Sequence, residues 1–141
     1  MIDSQPYSVR SARHHFRNYL GIIRGFSEIL MEGLRSEEAR LAHFIFMIET
    51  VDRIQKFIDR VLPSEEVLKR AEWKKPFWIN VEHDVKSILK TVEALLILEQ
   101  QSPLQGFKED LLKIQSSGLE ILKFSEEFIN HSFDNPTIAK E

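Results

Sequence analysis

A chain of 141 residues, 43% hydrophobic and 29% charged, has the size and chemistry of one globular domain. It contains no cysteine, which excludes disulfides, thiolate metal sites and cysteine nucleophiles. The net charge of −3 lacks the basic excess with which nucleic-acid modules hold phosphates, so no nucleic-acid partner is expected.

No segment approaches the ~18 consecutive apolar residues of a membrane span. The start, Met1–Pro6, is polar and carries no signal-peptide core. The expectation is a cytoplasmic chain with no membrane partner. Glycine and proline number only five each, which favours long helices with short connections.

The first periodic run extends from near Tyr7 to near Met31. Phe16, Leu20, Ile23, Ser27 and Leu30 form its stripe, widened by Tyr19, Ile22, Phe26 and Ile29. Gly33 is the expected stop, and Ser36 the cap of the next helix, with Glu37 and Glu38 at its positive end. The second run covers about Glu37–Leu62, with Leu41, Phe44, Ile45, Ile48, Val51, Ile54, Phe57, Ile58 and Val61 on one broad face, and Pro63 ends it. Ser64–Trp73 reads as a short helix and Lys74-Lys75-Pro76 as a break. A third run begins between Pro76 and Asn80 and continues through Val85, Ile88, Leu89, Val92, Leu95, Leu96 and Leu98. Ser102-Pro103-Leu104-Gln105 matches a capping box, opening a fourth run over Pro103–His131 that Asp134-Asn135-Pro136 stops. Its apolar residues include Phe107, Leu111, Ile114, Leu119, Ile121, Leu122, Phe124, Phe128 and Ile129.

The halves repeat. His14-His15-Phe16-Arg17-Asn18-Tyr19-Leu20 aligns with His83-Asp84-Val85-Lys86-Ser87-Ile88-Leu89 at a step of 69. Thr50–Phe57 aligns with Ser117–Phe124 at a step of 67. An amphipathic hairpin cannot cover its own apolar face, but two in one chain can cover each other. The prediction is therefore an all-α, single-domain four-helix bundle of two tandem antiparallel hairpins related by a pseudo-two-fold. Hairpin one spans about 7–62, a linker about 63–77, hairpin two about 78–132, and a tail 133–141.

The stretch HHFRNYLGIIRGFSEIL, His14–Leu30, resembles the H-box of sensor histidine kinases, and HDVKSIL, His83–Leu89, resembles a second copy. Ile114-Gln115-Ser116-Ser117-Gly118-Leu119 is similar to the second helix of the same dimerisation and histidine-phosphotransfer domain, which often carries a small-residue pair there. Family members build a four-helix bundle from two hairpins, one per subunit. By that resemblance this chain is a monomeric pseudo-dimer, with His14 and His83 in the phospho-accepting positions. A neutral imidazole near pH 7 is nucleophilic and forms a labile N–P bond. The resemblance gives Asp84 the role of orienting its histidine. It gives Asn18 that of holding a water for receiver dephosphorylation. Arg17 and Lys86 would lie near the phosphate.

The boxes also depart from the family pattern. His15 stands where an acid is preferred, Ser87 where Thr or Asn is, and Tyr19 and Ile88 where proline is. The first box is thus better suited to phosphatase than to autokinase chemistry. The second box also resembles the HxxK start of monodomain phosphotransfer proteins, with Ser87 in place of glycine. The 141 residues carry no asparagine-rich box, no DxGxG and no glycine-rich lid, so autonomous phosphorylation from ATP is not expected.

The implied function is a phosphorelay protein exchanging phosphate with a response-regulator receiver domain, with a histidine kinase as a further partner. No cofactor is expected in the chain itself; Mg2+ would belong to the receiver. The alternative is a non-catalytic bundle that binds a receiver or kinase as scaffold or inhibitor; a third is a regulatory bundle within a multidomain enzyme. Among other features, His15 reads as a surface residue, about 100° round the helix from His14. His43 and His131 have no flanking motif, and no metal-ligand spacing appears. Gly21 and Gly25 read as relief of crowding beside the first box. Trp73 and Trp78 read as packing over the bundle end or as a docking surface.

Overall fold

The computed structural model describes residues 8–132. They form four α-helices, α1 (Val9–Glu32), α2 (Arg40–Val61), α3 (Lys74–Gln101) and α4 (Phe107–Ser132), with a short 3-10 helix, Glu65–Lys69, between the hairpins. No strand occurs among the described residues. The expected start at Tyr7, the stop at Asp134–Pro136 and the tail 133–141 lie outside them.

Each helix packs on two neighbours, in the ring α1–α2–α3–α4–α1. That is the arrangement a two-fold exchanging α1 with α3 and α2 with α4 requires. Burial repeats at the same steps. Ala12, Phe16 and Ile23 of α1 are buried, and so are Val81, Val85 and Val92 of α3. Phe44, Met47, Thr50 and Ile54 of α2 are matched by buried Leu111, Ile114, Ser117 and Ile121 of α4. The repeat seen in the sequence is thus a repeat of which face points inward, and the all-α bundle of two hairpins is observed.

Local chemistry sets the boundaries. Ser8 caps α1 through its hydroxyl, which accepts from the Ser11 N–H at 3.1 Å. The Glu65 carboxylate reaches back from the 3-10 helix to accept from the N–H groups of Val9 and Arg10, at 2.8 and 3.4 Å. These satisfy donors that an isolated helix start leaves open. Gly33 ends α1 as expected. Helix α2 starts later than expected, at Arg40, with no side-chain cap from Ala39. Helix α3 starts earlier, at Lys74, so the connection is shorter than the expected 63–77. Pro76 falls in the first turn, where its missing N–H has no helical acceptor to lose. Asn80 is no cap; its side chain donates to the Pro76 carbonyl at 2.8 Å.

The capping box at Ser102 is not used, and α4 begins at Phe107 after Gly106, whose φ of 82° is left-handed. Long-range contacts hold this turn instead. Arg40 Nη2 donates to the carbonyls of Leu98 (3.3 Å) and Ser102 (2.6 Å) and lies 3.5 Å from the Glu99 carboxylate. The other Glu99 oxygen accepts from the Leu104 N–H at 2.9 Å. Both side chains are 5% exposed.

An aromatic cluster fills the end of the bundle where α1 and α3 begin. Phe16 meets Phe77, Phe124 and Phe128 edge-on, and Trp73 packs on Phe77 and Phe128. Trp73 is therefore core, not docking surface. Gly21 and Gly25 have nothing within 4 Å of where a Cβ would be, so they relieve no crowding; Gly118 does, with a Cβ position 2.9 Å from Leu89 Cδ2.

Candidate functional site

The aromatic end gives the two histidine boxes a rigid base. His14 lies two residues before the fully buried Phe16 on α1, and His83 two before the fully buried Val85 on α3, so both project outward. Because α1 and α3 are not neighbours in the ring, the structure does not join the two histidines into one centre.

At the second box, the His83 ring is 77% exposed and its Nδ1 lies 3.2 Å from the Asp84 carboxylate. Asp84 is only 15% exposed and is gripped from α2, with Arg53 Nε and Nη2 donating to its two oxygens at 3.3 and 3.2 Å. The hydrogen bond to Asp84 holds the Arg53 guanidinium above its ordinary pKa. A two-point guanidinium–carboxylate contact fixes orientation as well as charge. In the tautomer that carries its proton on Nδ1, Asp84 accepts that N–H and Nε2 is the outward lone pair. Lys86 is on the same face but is drawn to Glu82, 3.0 Å away. The Ser87 hydroxyl donates to the His83 carbonyl at 3.0 Å. Ile79, Glu82, His83, Lys86, Ser87 and Lys90 line a shallow depression. Arg53 and Asp84 also line the larger neighbouring groove between α2 and α3, about 530 Å³, with Lys56, Phe57 and Arg60.

At the first box, His14, Arg17 and Asn18 line one depression with Gly21 and Ile22. A second, on the other side of His14, brings in Arg10, Arg13, Pro63 and Glu65. Asp59 of α2 serves both Arg13 and Arg17, at 3.6 Å each. His15 is not the free surface residue expected. Its ring stacks on Phe124 of α4, centroids 3.8 Å apart at 22°, with Tyr19 at 4.9 Å. Burial draws its pKa below the ordinary histidine value, against the pull of Glu120 and Glu127 and together with the repulsion of His14.

The repeat places these two environments in correspondence. Asp84 corresponds to His15 and Arg53 to Glu120. One edge of the bundle therefore sets a cation on α2 against an anion on α3, while the other sets an anion on α4 against an imidazole on α1. Sequence reasoning found the histidines, Asn18, Asp84, Arg17 and Lys86, and missed Arg53 and Glu120. The signal that could have found them is this reversal, visible when the two halves are aligned. Among the described residues no group of three or more His, Asp and Glu is placed to hold a metal, and no helix is long and apolar enough to cross a membrane. Compared with family models, with curated proteins and with solved structures, the chain matches none.

Proposed function

We propose that this chain is a histidine phosphotransfer element of a two-component relay, exchanging a phosphoryl group with the aspartate of a response-regulator receiver domain. The observation that carries the reading is the Arg53–Asp84–His83 array: an exposed imidazole on a rigid helix, its inner nitrogen held by a carboxylate that is itself held from the opposite hairpin. In the transfer, His83 Nε2 attacks the phosphorus of the receiver's phosphoaspartate, the P–O bond to that carboxylate breaks, and the carboxylate leaves with its electron pair. Asp84 stabilises the imidazolium formed. Catalysis of phosphoryl transfer is chiefly positioning and charge, which a fixed array on a helix can supply. The Mg2+ such chemistry uses would come with the receiver.

A scaffold that binds a receiver or kinase without chemistry is favoured by two observations: His15 is packed on Phe124 where the family has an acid, and the Ser87 hydroxyl is spent on the His83 carbonyl one turn back. One experiment separates the readings. The purified protein is incubated with phosphorylated receivers, and acid-labile label is followed in the wild type, His83→Ala and His14→Ala. Transfer slowed at least ~10-fold by His83→Ala supports the relay, since a correctly placed nucleophile or base contributes that much or more. Receiver binding with no label, unchanged when both histidines are replaced, would establish the scaffold instead.

A further inference from the structure

The two histidines differ in which groups lie nearest the ring, and that difference bears on the fate of a phosphoryl group once attached. At His83, the near groups are Asp84, bound to Arg53, then Glu82 paired with Lys86, and Lys90. At His14, three arginines of α1, Arg10, Arg13 and Arg17, line the two flanking depressions. Two acids face them: Asp59, 3.6 Å from both Arg13 and Arg17, and Glu65, which accepts from the start of α1. The neighbour His15 is turned into its stack with Phe124.

We infer that the two boxes have separated into a releasing site and a holding site: phosphate on His83 is short-lived, and phosphate on His14 is long-lived. The inference rests on both histidines being phospho-acceptors. When the N–P bond breaks, the electron pair returns to Nε2, and a ring still protonated at Nδ1 is the better leaving group. Asp84, 3.2 Å from Nδ1, is placed to accept that N–H and hold it while the bond breaks. At His14 the arginines act in the other direction: they can bind the oxygens of a phosphoryl dianion. In hydrolysis, water attacks phosphorus, the N–P bond breaks, the ring recovers its lone pair and inorganic phosphate departs; no other reactant is needed.

Phosphoramidate tests this without any partner protein. It transfers its phosphoryl group to imidazole as its own P–N bond breaks and ammonia leaves. Full-length wild type, His14→Ala and His83→Ala would be labelled, the sites assigned by tandem mass spectrometry, and the decay followed by 31P NMR at fixed neutral pH. Label on Nε2 of His83 is expected to decay about 5- to 10-fold faster than label on His14, the weight of one ordinary hydrogen bond. Asp84→Asn should lengthen the first lifetime, and Arg13→Gln with Arg17→Gln should shorten the second. Because Asp84→Asn also loosens Arg53, circular dichroism would confirm that each variant is folded, and the arginine pair tests the inference independently at the other site. Equal lifetimes, or the reverse order, would overturn it. Failure of receivers to exchange phosphate, with this order of lifetimes intact, would count against the relay alone.

Discussion

Arg40 offers the sharpest test of how the bundle is held at its far end. Its guanidinium and the Glu99 carboxylate are both 5% exposed, and together they tie the start of α2 to the turn after α3. Arg40→Ala would leave a buried carboxylate without its cation, and the Leu98 and Ser102 carbonyls without their donor. Breaking one partner of such a pair costs about 3–5 kcal/mol. For a domain whose total stability is about 5–15 kcal/mol, that is a large share. It should lower Tm by about 8–16 °C. The fold itself supplies the compensating variant. At the positions equivalent to Arg40 and Glu99 the other edge carries Phe107 and Leu30, both buried. Arg40→Phe combined with Glu99→Leu is therefore expected to recover at least half of the loss, because both charges leave the interior together. The Leu104 N–H still loses its acceptor, which limits the recovery by about 1 kcal/mol. Urea unfolding followed by circular dichroism measures all of the variants. A cost below about 1 kcal/mol for Arg40→Ala, or costs that simply add in the double variant, would refute the argument.

Gly21→Ala should stabilise the protein by about 1 kcal/mol, since the glycine is inside a helix with open space around its Cβ position; thermal melts read this, and a loss of stability would show a contact not accounted for. The depressed pKa of His15 has a definite sign. The unfolded chain binds the proton more readily, so the stabilisation is present above the ordinary histidine value of about 6.5 and is lost as pH falls through and below it. Unfolding midpoints in urea from pH 8 to pH 5 should fall less steeply in His15→Phe, which keeps the stack on Phe124 and removes the titration; an unchanged pH slope would refute the assignment.

Much of the fold was legible because the apolar stripes are long and regular. Phe16, Leu20, Ile23 and Leu30 could be placed on an inner face by spacing alone, and all are buried. The ends were less legible wherever distant residues decide them. Ser102-Pro103-Leu104-Gln105 has the local form of a cap, yet the turn is governed by Arg40, some 60 residues away in sequence. Likewise Glu65 completes the start of α1 from 56 residues on. At the site, the histidines were visible through their flanks. Arg53 was not, because nothing in its own neighbourhood says that it will face Asp84 across the groove. His15 was misjudged for the same reason: an angle around one helix says nothing of Phe124 on another.

The paired substitutions across the two edges also decide which hairpin may associate with which. Suppose two copies of the first hairpin came together with the same geometry. Arg53 would then face His15, and buried Arg40 would lie against Leu30. Two copies of the second would set Glu120 against Asp84 and leave the buried Glu99 against Phe107. Each like-with-like assembly brings similar charges together or strands an ion in the interior, at a cost of several kcal/mol. Only the mixed arrangement satisfies both edges. Joining the halves in one chain raises their effective concentration; the mismatched edges go further and make self-association of either half, or exchange of hairpins between molecules, a poor competitor. The same asymmetry frees each histidine from its counterpart, since a substitution beside one no longer appears beside the other, as it must in a symmetric dimer.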